Sequence, residues 1–100
     1  MQIPIDISVL KSVLSIDDEA AQQKIDQIDR VRINEDKVVE LKRQKDGITV
    51  EVPNNLGGGL LGIELVDKYG GTITTLAYDL KTKEFRRPRK HEEEKKKTTE

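Results

Sequence analysis

The chain has 100 residues, of which 37% are charged and 34% hydrophobic, and its formal net charge is −1. A chain of this length is expected to form one domain with a small core that buries roughly 60–70% of the surface of the unfolded chain. The sequence contains no cysteine, which excludes disulfides, thiolate nucleophiles and cysteine-ligated zinc. Because a small core gains stability from a second copy, a homodimer is among the expected states.

The charge changes sign along the chain. Residues 1–36 carry a net charge of −4, residues 37–82 are balanced, and residues 83–100 carry +3. The first residues form no basic leader, and the apolar run that follows is interrupted by Asp6 and Lys11. This pattern matches neither a secretory signal nor a membrane span, so we expect a cytoplasmic protein without a membrane partner.

The first predicted helix covers residues 7–15. Apolar side chains at positions 9, 10, 13 and 14 share one helical face. Asp6 and Ser8 are both suitable N-caps, because a short side-chain acceptor can bond to the first free amides. The high content of Val and Ile leaves a strand at the start of this segment as the alternative.

A second helix is predicted over residues 16–30. The sequence Ser15-Ile16-Asp17-Asp18 resembles a capping box, with Asp in the place of Glu. Ala21, Ile25 and Ile28 continue one apolar stripe. Acidic residues at the start of this segment favour a helix N-terminus, where the helix dipole is positive.

From Val31 onward the apolar period becomes that of β-strands. Residues 48–52 alternate as a strand with one buried face, and a last edge strand ends at Pro88. For residues 59–68 the pattern allows two alternatives, a strand or a helix. Hairpin loops are predicted at 45–47, with Gly47 at a positive φ, at 69–72 and at 79–82.

These elements together predict an α+β fold. The N-terminal helix pair packs on an antiparallel β-sheet of four or five strands, within a single domain formed by residues 1–87. Residues 88–100 contain no apolar side chain to bury except the ring of Pro88. They are predicted to be a disordered charged tail.

A glycine-rich loop is the first candidate site. Gly57, Gly58, Gly59 and Gly62 fit the pattern G-x-G-x-x-G after a predicted strand, an arrangement that binds phosphates when a helix follows. The remaining residues do not supply the parallel strands and crossover helices of a dinucleotide-binding fold. A loop between strands is therefore preferred, and a nucleotide or phosphate binder ranks third among the functions.

A basic segment is the second candidate site. Arg86, Arg87, Arg89 and Lys90 can neutralise phosphates, and Phe85 offers one face for stacking on a base. Three glutamates interrupt the basic run further on, so a solubilising tail or a protein-docking arm competes with nucleic-acid contact.

Enzymatic function is not expected. His91 is the only histidine and lies in the predicted tail, where it can neither complete a zinc site nor be held as a catalytic base. We predict no catalytic residue, no metal and no cofactor. The leading function is a non-enzymatic accessory or regulatory protein that binds a protein partner, and nucleic-acid binding is the second.

Overall fold

The structure is a computed structural model that describes residues 1–54 and 59–87. The helices in these two segments are α1 (Ile7–Leu14) and α2 (Asp18–Gln27), and neither is long and apolar enough to cross a membrane. The strands in this part of the chain are β1 (Gln2–Asp6), β2 (Arg30–Ile33), β3 (Lys37–Val39), β4 (Leu41–Gln44), β5 (Gly47–Glu51), β6 (Leu60–Val66), β7 (Thr72–Asp79) and β8 (Glu84–Arg86). The predicted tail, residues 88–100, lies outside the described residues.

The α+β class is confirmed, but the strands form two antiparallel sheets instead of one. Their orders are β1-β5-β4 and β3-β2-β6-β7-β8. A single residue, Glu40, separates β3 from β4, so one stretch of chain pairs with β2 through its first half and with β5 through its second. The outer ends of this joined arrangement are β1 and β8.

Strand β1 was not predicted as an element separate from α1, because the sequence analysis offered a strand in this region only as the alternative to the helix, whereas the structure has both. Ile3 and Ile5 are fully buried and lie opposite Val50 and Ile48 of β5. Met1 and the backbone of Val52 exchange hydrogen bonds of 2.8 Å, which fixes the alternation of bonded and non-bonded pairs along β1. Pro4 therefore turns its ring nitrogen away from β5, toward the outer edge, where a missing N–H costs no ladder bond.

The helices begin and end close to the predicted positions. Asp6 caps α1 by accepting from the Val9 N–H at 3.0 Å. Helix α2 is shorter than predicted and is capped by Asp17, which accepts from the Ala20 N–H at 2.9 Å. The proposed capping box at Ser15 is wrong, because Ser15 has a left-handed φ of 57° and ends α1.

The strand interpretation of residues 59–68 is correct and the helix alternative is wrong. In β6, Leu61, Ile63 and Leu65 are buried and alternate with more exposed residues. The predicted hairpins connect β4 to β5, β6 to β7 and β7 to β8.

The predicted positive φ of Gly47 is wrong. A Cβ on Gly47 would lie 2.6 Å from both the Asp6 Cα and the Ile5 carbonyl oxygen, so glycine is required there by the close approach of β1. The hairpin glycine with a positive φ is Gly70, at 86°.

One apolar cluster joins the helices to both sheets. Leu10, Ala21 and Ile25 contribute from the helices, and the inward residues of β1, β2, β5, β6 and β7 contribute from the sheets. No polar or charged side chain is buried among the described residues. Helix α1 contacts α2 and also both outer strands, β1 and β8.

Candidate functional site

An open groove of about 480 Å³ lies between α1 and β8. We call it the α1–β8 groove. It forms where the joined sheets stop at β8 and α1 stands beside the last strand. The residues that line it are Ser8, Val9, Ser12 and Val13 from α1, and Glu84 and Phe85 from β8.

The apolar part of the groove is formed by Val9, Val13 and Phe85. All three side chains are partly buried and pack against the core cluster. The Phe85 ring meets the buried Tyr78 ring edge to face, with 4.8 Å between the centroids and an angle of 61°. Aromatic pairs of this kind add about 0.5–1.5 kcal/mol beyond their buried area. This contact holds Phe85 in place beside α1.

Strand β8 is the last strand of its sheet, so one side of its backbone has no neighbouring strand among the described residues. The Leu80 N–H donates to the Gly59 carbonyl at 2.9 Å, which fixes the alternation along β7. Glu84 and Arg86, opposite Asp79 and Ala77, therefore direct their backbone groups to β7. The N–H and C=O of Phe85 point the other way, toward the groove, and no described residue bonds to them.

Arg87 holds one end of the groove together. Its Nε donates to the Val13 carbonyl at 2.6 Å, and its second guanidinium nitrogen donates to the Ser15 Oγ at 2.9 Å. The last carbonyls of a helix lack partners within the helix, so a guanidinium is a suitable donor there. These bonds connect the end of β8 to the end of α1.

Arg86 lies on the opposite face of β8 from Phe85. Its guanidinium contacts Asp79 at 3.1 Å, and its side chain is 50% exposed. The backbone N–H groups of Thr82 and Lys81 donate to the Asp79 carboxylate, and together with Arg86 they hold the pKa of Asp79 below its ordinary value. Asp79 is therefore a structural carboxylate of the β7–β8 turn.

The predicted basic segment is only partly described. Phe85, Arg86 and Arg87 are adjacent, but each makes a different contact, with Tyr78, Asp79 and the end of α1 respectively. Arg89 and Lys90 lie outside the described residues.

The glycine motif is also only partly described, since Gly57 and Gly58 lie outside the described residues. Gly59 has a φ of 117° and precedes β6, and Gly62 lies within β6. A strand follows these glycines, whereas the phosphate-binding arrangement requires a helix N-terminus.

Sequence reasoning missed the α1 side of the groove. Ser8 and Ser12, and likewise Val9 and Val13, are spaced four residues apart and therefore share faces of α1. The sequence analysis placed the two valines on one apolar face of the helix, and in the structure they are only partly buried. The signal in the sequence was the pair of serines beside the valines, which marks a side of α1 that the core does not fully cover.

A second depression, of about 550 Å³, lies near the β6–β7 turn. Tyr69 at this turn is 85% exposed, and the Lys68 ammonium lies 5.3 Å from its ring centroid. Arg43, which lines the same depression, donates to the carbonyls of Ile25 and Ile28 at the end of α2. Arg43 is therefore engaged with the end of α2, and most of the residues that line this depression are polar or charged.

No group of three His, Cys, Asp or Glu residues in segments 1–54 and 59–87 is arranged to hold a metal ion. The pKa of Glu51 is lowered by hydrogen bonds from the Met1 ammonium and from Gln2. A lowered pKa favours the ionised form, the opposite of what a general acid requires.

Comparisons with models of protein families, with curated proteins and with solved structures find no match to this chain.

Proposed function

We propose that this chain is a small non-enzymatic accessory or regulatory protein that binds a protein partner through the α1–β8 groove. The observation that carries the proposal is the unpaired backbone of Phe85 beside an apolar floor. An unpaired strand edge offers N–H and C=O groups with which another extended backbone can pair. An extended segment of a protein is therefore the ligand class that fits.

The side chains around the edge supply specificity. Val9, Val13 and Phe85 can receive an apolar side chain of the partner, whose burial favours binding. Glu84 is exposed at the rim, where a charge sets the register and the choice of partner more than the affinity.

Nucleic-acid binding is the second candidate, and the half-exposed Arg86 is the observation that favours it. It ranks second because Arg86 is paired with Asp79 and Arg87 with the end of α1. If Arg86, Arg87, Arg89 and Lys90 each contact a duplex phosphate, log affinity should fall with log salt at a slope of about −3.5. A fluorescence-anisotropy titration at two salt concentrations measures that slope, and binding that disappears near physiological salt would exclude this function.

The experiment for the leading function places a photo-crosslinking amino acid at position 12, in the groove, in cells that make the protein natively. The matched control places the same amino acid at position 23, an exposed residue of α2 away from the groove. We expect a protein adduct from position 12 and none from position 23. Equal adducts from both positions, or an adduct that nuclease removes, would contradict the proposal.

A further inference from the structure

We infer that the segment that fills the α1–β8 groove is β8 of a second copy of this chain, which gives a two-fold symmetric homodimer. The inference rests on the proposed function, because both use the free edge of β8, and it names the partner. Residues 84–86 read Glu-Phe-Arg, a sequence that is complementary to itself when reversed.

The backbone directions restrict how two β8 strands can pair. Phe85 directs its N–H and C=O outward, so in an antiparallel pair about a two-fold axis it can face Phe85 of the second copy and exchange both hydrogen bonds. This pairing joins two five-stranded sheets into one sheet of ten strands. A two-fold interface uses the same surface on both copies, as self-complementarity requires.

The charges of Glu84 and Arg86 favour this register over the other registers that the backbone hydrogen bonds allow. With Phe85 opposite Phe85, Glu84 of each copy lies opposite Arg86 of the other. A shift by two residues in either direction places Glu84 opposite Glu84 or Arg86 opposite Arg86. Opposite charges directly across a strand pair are stabilising and like charges are destabilising, so the first register is favoured.

The charged residues that flank β8, Lys83 and Arg87, do not disfavour this register. Lys83 would lie opposite Arg87 of the second copy, but Lys83 has a φ of 62° and stands before the extended backbone of β8. The guanidinium of Arg87 is bonded to Val13 and Ser15 of its own copy. The two like charges are therefore held away from each other.

The groove supplies room and apolar contact for the second copy. Phe85 of the second copy would lie along the partly buried Val9 and Val13. Ser8 and Ser12 on the same side of α1 are small and exposed, so they leave space for a neighbouring chain. At the other outer strand, Pro4 has no N–H to offer, so pairing does not continue there into an open array.

The test is sedimentation equilibrium of the full chain and of two charge variants, Glu84→Arg and Arg86→Glu. We expect a dimer for the wild type and a dissociation constant raised about tenfold or more in each variant, because each symmetric dimer loses two opposite-charge pairs and gains two like-charge pairs. An equimolar mixture of the two variants should form a heterodimer of near wild-type affinity, since both cross-strand pairs are then again of opposite charge. Neither variant alone should form a dimer of near wild-type affinity.

Glu84→Arg alone keeps the test decisive if Arg86→Glu impairs folding. Glu84 lies opposite Asp79 within its own chain, so arginine there replaces a like-charge pair and the fold should be retained. A wild type that stays monomeric up to about 1 mM, or a dimer whose dissociation constant the charge reversals leave unchanged, would overturn the inference. A monomer that still forms an adduct from position 12 with a different protein would overturn the homodimer and leave the proposed function standing, whereas a monomer without that adduct would overturn both.

Discussion

The two outer strands, β1 and β8, differ in what their outward backbone can do. In β1 the residue at the centre of the outer edge is Pro4, which has no N–H to donate. In β8 the corresponding residue is Phe85, whose N–H and C=O bond to no residue in segments 1–54 and 59–87. Natural sheets protect their edges with proline, charge or cover, because a free edge pairs with other chains. The proposed binding site rests on this difference between the proline at the β1 edge and the unmatched backbone of Phe85 at the β8 edge.

Side-chain burial also differs between the β1 end and the β8 end of the joined sheets. Ile3 and Ile5 of β1 are fully buried, and the backbone of β1 touches Gly47 so closely that no side chain fits there. At the other end, Phe85 is only partly buried, and Glu84 and Arg86 are exposed. The inward side chains of β1 are thus fully covered, whereas among the described residues Phe85 of β8 remains partly exposed.

The largest predicted effect tests how tightly the β1 end is closed. Gly47→Ala places a Cβ against the backbone of β1, and such overpacking costs about 3 kcal/mol, or roughly 10–20 °C in the thermal midpoint. Gly62→Ala is the matched control, because a Cβ at Gly62 meets nothing within 4 Å. Thermal unfolding followed by circular dichroism measures both. Equal midpoints for the two variants would mean that β1 is not closely packed.

A smaller effect is expected where β8 meets α1. Arg87→Ala removes the donors to Val13 and Ser15, which should lower the free energy of unfolding by about 1 kcal/mol. Hydrogen exchange should accelerate at the end of α1, because the bonds that attach it to β8 are lost. Lys81→Ala is the control, because Lys81 is an exposed residue of the β7–β8 turn outside the groove, so the exchange of α1 should stay unchanged. If both variants accelerate exchange in α1 equally, Arg87 does not set the width of the groove.

The β7–β8 turn that presents the free edge should be sensitive to acid. The pKa of Asp79 is lowered in the folded state, so its contribution to stability is fully present above the unfolded pKa of about 4 and is lost as pH falls through the lowered value. The thermal midpoint of Asp79→Ala should therefore lie below that of the wild type at pH 7, and the difference should narrow in acid. Asp36→Ala, at an exposed residue of the β2–β3 turn, provides the control. A difference that stays constant down to pH 2 would contradict this role of Asp79.

The smallest effect concerns the backbone just before β8. Lys83 has a φ of 62°, a conformation that glycine adopts without the steric cost of a Cβ. Lys83→Gly should raise the free energy of unfolding by about 0.5 kcal/mol in a denaturant titration. Lys81→Gly, at a turn residue without a positive φ, should lower it. If Lys83→Gly is the more damaging change, Lys83 does not adopt a left-handed backbone at the start of β8.

Local patterns in the sequence predicted the helices and hairpins but not the division into two sheets. Elements with a clear apolar period, such as α1 and β5, lie where they were expected. The change of partner between β3 and β4 occurs at Glu40, without proline, glycine or a turn, so nothing local marks it. The short β1 was not predicted as a separate strand because its two isoleucines merge into the apolar run of α1.

Only part of the candidate site could be predicted from the sequence. The sequence singled out Phe85, Arg86 and Arg87 as contacts for nucleic acid, and that assignment stays a prediction. The structure adds a contact that the sequence could not indicate, because Arg87 bonds to Val13, which is 74 residues away in the chain. Only the tertiary structure brings α1 to β8, and only the strand register shows that the backbone of Phe85 faces outward.

The most direct test of the free edge is amide hydrogen exchange at Phe85, measured by NMR about tenfold above and about tenfold below the dimer dissociation constant. The backbone of Arg86 is directed to β7, opposite Ala77, so its amide serves as the internal control, with the same exchange expected at both concentrations. We predict that the Phe85 amide is protected in the concentrated sample and exchanges rapidly in the dilute one, because only the second copy supplies its acceptor. A Phe85 amide that exchanges at the same rate at both concentrations, whether fast or slow, would contradict the account.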